Sequence, residues 1–227
     1  MGEMPATQAK TSDVGHTVPA EPEQRLRADT YRLLGHLLAA PPDAETLAIF
    51  AAAPVTDDDD MLAVAWRMLA TAAGRANPLE VNDEFEALFI GVGRGELMPY
   101  ASWYLTGFLM EKPLAKLRAD LAVLGFERQD NVSEPEDHAA ALCEIMALLA
   151  ESGDLESLQT QARFFDDYIG PWMAKFFTEM QASVSARFYR AVGQLGEQFI
   201  KTDQRYLEMV EEPDDMPATG RKTGDSK

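Results

Sequence analysis

The stretch SEPEDHAAALCEIMALLAES, residues 133–152, decides the fold class. From Ala139 onward, Leu142, Ile145, Met146 and Leu149 recur at steps of three and four, the spacing of one face of an α-helix. The period-two alternation of a half-buried strand is missing. The opening reads as a capping box. Ser133 would accept from the Glu136 amide while the Glu136 side chain reaches back to the Ser133 amide. Pro135 suits a first turn, where its missing N–H is harmless, and Gly153 follows as a stop. The spacing predicts a helix over 133–152, with Asp137 and His138 projecting from its first turn. Cys143 is expected in the core, and as the single cysteine it can form no internal disulfide, which suits a reducing compartment.

Working outward, the same period continues. Leu26, Thr30, Leu33, Leu34, Leu37 and Leu38 make one helical face, ended by Pro41-Pro42. Asp43 is placed to cap a helix through Leu47, Ile49 and Phe50. The run Asp57 to Asp60 precedes the apolar pattern from Met61 to Leu69. Consecutive carboxylates fan around a helix instead of converging on a metal, so this run reads as an N-terminus favoured by the macrodipole. Asn77-Pro78 is an N-cap and first-turn pair, and Gly91 ends the helix it opens. Residues 91–95 (Gly-Val-Gly-Arg-Gly) follow a helix and lack the Lys-Ser/Thr of a phosphate loop, so they read as a plain loop. Further helices are predicted over 102–111, 113–124, from Asp154 through Tyr168, from Trp172 through Met180, and from Phe188 through Leu207. No repeat period is visible. The expected architecture is all-α: one compact multi-helix domain of about nine or ten helices, in one or two lobes, over 21–210. Tails at 1–20 and 211–227 are polar and proline-containing, a composition that predicts disorder.

Lys and Arg total 20 against 38 Asp and Glu, a formal net charge of -18. Such a surface repels nucleic acid and anionic lipid and concentrates cationic partners. No run of eighteen apolar residues predicts a membrane span, and the first twenty residues lack the apolar centre of a signal peptide, so a cytoplasmic location is expected. Catalytic chemistry finds few residues. The histidines are His16, His36 and His138, with no zinc-ligand spacing and no Gly-x-Ser-x-Gly elbow, so no catalytic residue, metal ligand or cofactor is assigned. Two clusters stand out. Glu134, Glu136, Asp137 and His138 offer strong acceptors and an imidazole to a basic peptide. In Tyr100-Ala101-Ser102-Trp103-Tyr104, three aromatics within five residues cannot all face one way, and at least one is expected to line a groove.

These two clusters carry a resemblance. Glu134-Pro135-x-Asp137-His138, followed by a helix with Met146, is similar to the signature of the TorD/DmsD family of redox-enzyme maturation chaperones, and Tyr100-x-Ser102-x-Tyr104 is similar to the family's other motif. Glu84-Phe85-x-x-Leu88-Phe89 resembles a third pattern, with phenylalanine in place of tyrosine. The run Phe164 to Trp172 resembles a fourth, with Tyr168 in place of histidine. The resemblance implies an all-helical cytoplasmic chaperone that binds the twin-arginine signal peptide or N-terminus of a molybdoenzyme precursor and holds it for molybdopterin insertion. Implied clients are formate dehydrogenase or the trimethylamine-oxide, dimethyl-sulfoxide and nitrate reductases. It makes Asp137, His138, Glu134, Glu136, Tyr100, Ser102, Trp103 and Tyr104 the peptide-binding residues. The oligomeric expectation is a monomer or a dimer exchanging segments. Two other classes stay open: a small hydrolase or nucleotide-binding enzyme using His138 and Asp137, and a helical scaffold without a peptide site.

Overall fold

The structure is a computed structural model describing residues 22–54, 56, 58–91, 94–109, 112–127, 134–151 and 155–211. The tails expected at 1–20 and beyond 211, His16, Asp57, residues 92–93, Ser133 and the helix boundary at 152–154 lie outside the described residues. Among the described residues are ten α-helices and one π turn. They are α1 Pro22–Ala39, α2 Ala44–Ala51, α3 Met61–Ala73, α4 Pro78–Phe85 with the π turn Glu86–Ile90, α5 Ala101–Thr106, α6 Lys112–Val123, α7 Ala139–Glu151, α8 Leu155–Tyr168, α9 Met173–Ala182 and α10 Phe188–Glu211. The one β-type pairing among them is an isolated antiparallel bridge between Tyr100 and His138. No helix among them is long and apolar enough to cross a membrane.

Local signals set several helix starts. The side chains of Asp43, Asp60 and Asn77 accept from the amides of Thr46, Leu62 and Leu79, satisfying donors that a first turn leaves free. Two expectations change. The helix predicted over 102–111 ends at Thr106, because Gly107 adopts φ 81° and returns its amide to Trp103 O; a side chain there would be strained. The helix predicted from Ser133 begins only at Ala139. Residues 134–138 are drawn away from helical conformation by the bridge, in which Ala101 N donates to Asp137 O and Ala139 N to Pro99 O.

The core is one cluster. α1 packs along α7, and α10 packs along α9 and α3. Tyr31, Phe165, Trp172, Phe176, Phe177 and Tyr189 are all 0–1% exposed. α10 reaches α9 closely at Gly196, where an added Cβ would lie 2.4 Å from the Phe177 ring. Of the face expected on α1, Thr30, Leu34, Leu37 and Leu38 are buried and Leu33 packs against the core; only Leu26 departs, 64% exposed, while Arg27 and Gln24 are buried at that end.

The N-terminus of α10 is capped from a distance. Glu84, buried in α4, accepts from the amides of Arg187 (2.8 Å), Phe188 (3.1 Å) and Tyr189 (2.6 Å). Glu96 holds the preceding amides of Val184 (2.9 Å) and Ser185 (3.3 Å). Glu84→Ala strands these donors beside the core and is expected to cost about 1–3 kcal/mol, read as a lower urea midpoint at unchanged slope. A change under about 0.5 kcal/mol would mean that water replaces the carboxylate.

Candidate functional site

The Tyr100–His138 bridge brings together two segments that start separate helices, α5 and α7. Each start is completed by a residue of the 134–138 segment. Asp137 Oδ2 accepts from Ser102 N at 2.9 Å, capping α5 across 35 residues of sequence, while the N-cap residue Tyr100 offers α5 no side-chain bond. His138 Nδ1 accepts from Ala140 N at 3.1 Å, capping α7. Tyr100 turns the other way. Its hydroxyl donates to Glu134 Oε2 at 2.5 Å and its ring meets the His138 ring edge-on at 5.1 Å. Burial and the Glu134 carboxylate push its phenol pKa up.

Asp137 and His138 do not project into solvent as the helical reading expected. They are 1% and 8% exposed, because the bridge folds them beneath the chain instead of placing them on a helical first turn. Glu134 stays exposed, and Glu136 pairs with Arg118 (Nη2–Oε2 2.9 Å); the capping box expected between Glu136 and Ser133 involves a residue outside those described. Since Nδ1 of His138 accepts, the neutral ring carries its proton on Nε2. Burial lowers the His138 pKa to about 4, overriding the opposite pull of Glu134 and Asp137. An unfolded histidine protonates near 6.5, so between these values the unfolded chain holds more protons and stability rises with pH. The contribution is complete above about pH 6.5 and is lost on descending to about 4. His138→Asn keeps a cap acceptor and removes the titration. Between pH 7 and 4.5 the variant should therefore lose about 2 kcal/mol less stability than wild type, measured by urea unfolding at each pH. Parallel pH profiles would remove this role.

Asp137 has an unusual second oxygen. Among the described residues its Oδ1 is buried without a hydrogen-bond partner. Asp137 belongs to the wall of a pocket of about 210 Å³ between α5, α6 and α8, the size for a side chain and too small for a large cofactor. Ala101, Leu105, Pro113 and Leu117 supply its apolar wall; Lys116, Asp167 and Tyr168 join Asp137 on the polar side. Lys116 Nζ donates to Asp167 Oδ2 (2.7 Å), Tyr168 OH (3.1 Å) and Asp120 Oδ2 (3.3 Å), and Tyr168 OH donates to Asp120 Oδ2. These partners push the Lys116 pKa up and hold Asp120 below the usual carboxylate range.

The other aromatic candidates go elsewhere. Tyr104 stacks on Trp172 at 5.1 Å and donates to Glu179 Oε2 at 2.5 Å, while the Arg94 guanidinium lies 4.4 Å over the Trp103 ring. Neither is in the pocket wall; α5 contributes Ala101 and Leu105 there. Sequence reading missed Lys116, Asp120 and Leu105. The one signal available was the i,i+4 spacing of Lys116 and Asp120, an ordinary surface pattern. A larger cavity of about 580 Å³ lies between α3, α4 and the start of α10, away from both motifs, and the Glu84 in its wall is committed to capping.

Comparison with known proteins agrees with the motif pattern. The nitrate reductase delta subunit family model matches residues 56–178, more than half of the chain. Relatives named chaperone protein TorD include one from Vibrio cholerae O395, 31% identical over 144 residues, covering 59% of this chain and 66% of that one. One from Vibrio parahaemolyticus is 29% identical over 139 residues, covering 57% and 65%, so these matches span just under two thirds of the relatives' lengths. One from Shewanella loihica is 27% identical over 208 residues, covering 82% and 95%. With its all-helical fold and with both motifs joined at one bridge, the chain belongs to the nitrate reductase delta subunit family, the TorD-type redox-enzyme maturation proteins.

Proposed function

We propose that this chain is a non-catalytic cytoplasmic chaperone that binds the twin-arginine signal peptide or N-terminus of a molybdoenzyme precursor. It holds that precursor for cofactor insertion before export or assembly. The observation that carries the reading is Asp137 Oδ1, a buried acceptor without a partner among the described residues, beside a pocket of side-chain size. Burying a carboxylate oxygen unpaired is costly, and a ligand that supplies donors recovers that cost on binding. A guanidinium supplies them in a planar fork. The residues that follow an arginine pair in such a peptide are apolar. Leu105 of the pocket wall is 42% exposed, and Phe108 and Leu109, which follow α5 in sequence, are 67% and 41% exposed.

Within this reading Asp137 binds the cation, and Glu134 and Glu136 attract it. His138 and Tyr100 hold the bridge, Ser102 anchors Asp137, and Trp103 and Tyr104 brace α5 from its other sides. The single helical unit over 21–210 is the binding body, as monomer or segment-exchanged dimer. The net charge of -18 speeds encounter with a basic peptide, and salt slows it by screening beyond about 8 Å. A hydrolase using His138 as base fits less well, because burial disfavours the protonated ring and Nδ1 is already an acceptor for Ala140.

The test is a calorimetric titration of a synthetic peptide, Arg-Arg followed by a leucine-rich stretch, against wild type, Asp137→Ala and His138→Ala. Weakened binding in Asp137→Ala supports the site, and unchanged affinity in both variants removes it.

A further inference from the structure

We propose that Lys116 is a built-in stand-in for the second cation of the ligand, occupying an anionic subsite beside the open one at Asp137 and leaving when a twin-cation peptide binds. The proposal rests on the peptide-binding reading above and specifies how that site tells two adjacent cations from one.

Asp137 and Asp167 line the pocket with Lys116, and Asp120 lies behind Lys116; Arg118, paired with Glu136, is also close enough to Asp137 to interact with it electrostatically, without a hydrogen bond to Oδ1. The three aspartates are not used alike. Asp137 offers an oxygen with no hydrogen-bond partner among the described residues. The other subsite is filled by the chain itself: Lys116 Nζ bonds both Asp167 and Asp120 and lies 4.7 Å over the Tyr168 ring. That is a cation-binding arrangement complete with an aromatic floor, occupied by a lysine.

Lys116 is suited to leaving. Its side chain is 55% exposed, its stem is flexible and its ammonium hydrates readily, so swinging into solvent forfeits little packing. An arriving guanidinium can span a carboxylate with two donors and stack on a phenol ring, both of which an ammonium does less well. Tyr168, buried and held through its hydroxyl by Asp120, keeps that floor in place. A peptide with one cation fills the Asp137 subsite and leaves Lys116 where it is. A peptide with two also takes the second subsite, and Lys116 sets the threshold for doing so.

The experiment titrates two synthetic peptides, Arg-Arg and Arg-Gln versions of one leucine-rich sequence, against full-length wild type and Lys116→Met. Removing the stand-in is expected to tighten the Arg-Arg peptide about 10-fold and the Arg-Gln peptide about 2-fold or less, the smaller gain being the general effect of one lost positive charge. Lys201→Met removes a charge at an exposed i,i+4 pair on α10 and should give only that small general gain. Adding Asp167→Asn to Lys116→Met should abolish the selective gain. Equal tightening of both peptides, or none, overturns the proposal. Lys116→Gln carries the same test if the methionine variant melts early. Failure of the peptide-binding reading looks different: Asp137→Asn would then bind both peptides as wild type does.

Discussion

Asp137→Asn is expected to weaken binding of an Arg-Arg signal peptide by about 30-fold or more while leaving the protein at least as stable as wild type. The two halves of this expectation come from the two oxygens. Oδ2 caps Ser102 N at 2.9 Å, and an asparagine carbonyl can accept the same bond. Oδ1 is a buried acceptor without a partner among the described residues, so neutralising the group removes a desolvation cost that the free protein bears. In the complex, the same substitution leaves a buried guanidinium without its anion, and losing one member of such a pair costs about 2–5 kcal/mol, mostly as faster release. Isothermal titration and urea unfolding on one preparation measure both halves. Weaker binding together with a large fall in stability would make Asp137 a purely structural cap.

Arg27→Met carries the largest expected effect on the fold, a loss of about 3–5 kcal/mol from a total of about 5–15. Arg27 is 6% exposed and Asp203 2%. The guanidinium bonds Asp203 through Nε and Nη2, and through Nη1 it reaches Gln24 Oε1 (2.7 Å) and Gln161 Oε1 (2.5 Å). Tyr31 OH donates to Asp203 Oδ2 at 2.7 Å, and Gln161 continues to Leu149 O and Ser157 Oγ. One closed network thus ties α1, α8 and α10. Without Arg27, Asp203 keeps only the Tyr31 hydroxyl among these partners and becomes a buried, unbalanced charge. Arg27→Met with Asp203→Leu should recover most of the loss, since apolar replacement of both partners removes the charge that either single change strands. A single-variant cost below about 1 kcal/mol, or no recovery in the pair, would show that water reaches the network.

Much of the fold was legible because its signals are local. The starts at Asp43, Asp60 and Asn77 each depend on a side chain and an amide two or three residues away. The glycine at 91 and the pair Gly170-Pro171 interrupt helices through their own backbones. The site was legible only as composition. Glu134 to His138 and Tyr100 to Tyr104 were singled out, and the bridge does join them. Their burial was not legible: Asp137 and His138, expected to project from a helical turn, are 1% and 8% exposed, while the Trp103 ring lies under the Arg94 guanidinium and Tyr104 packs on Trp172.

The sequence by itself determined the helical period, the local caps, the acidic balance and which two segments carry unusual chemistry, because each depends on residues within one or two turns of one another. The tertiary structure alone decided the partners across long separations: Glu84 with the start of α10, Arg27 with Asp203, and Asp137 with Ser102. It also moved the α7 start from 133 to 139 and turned Asp137 from an exposed charge into a buried one with an open valence. The physical reason is that a backbone amide or a carboxylate takes the partner that packing brings to it. Which distant segment returns to that place is set by the whole core and not by the neighbouring residues.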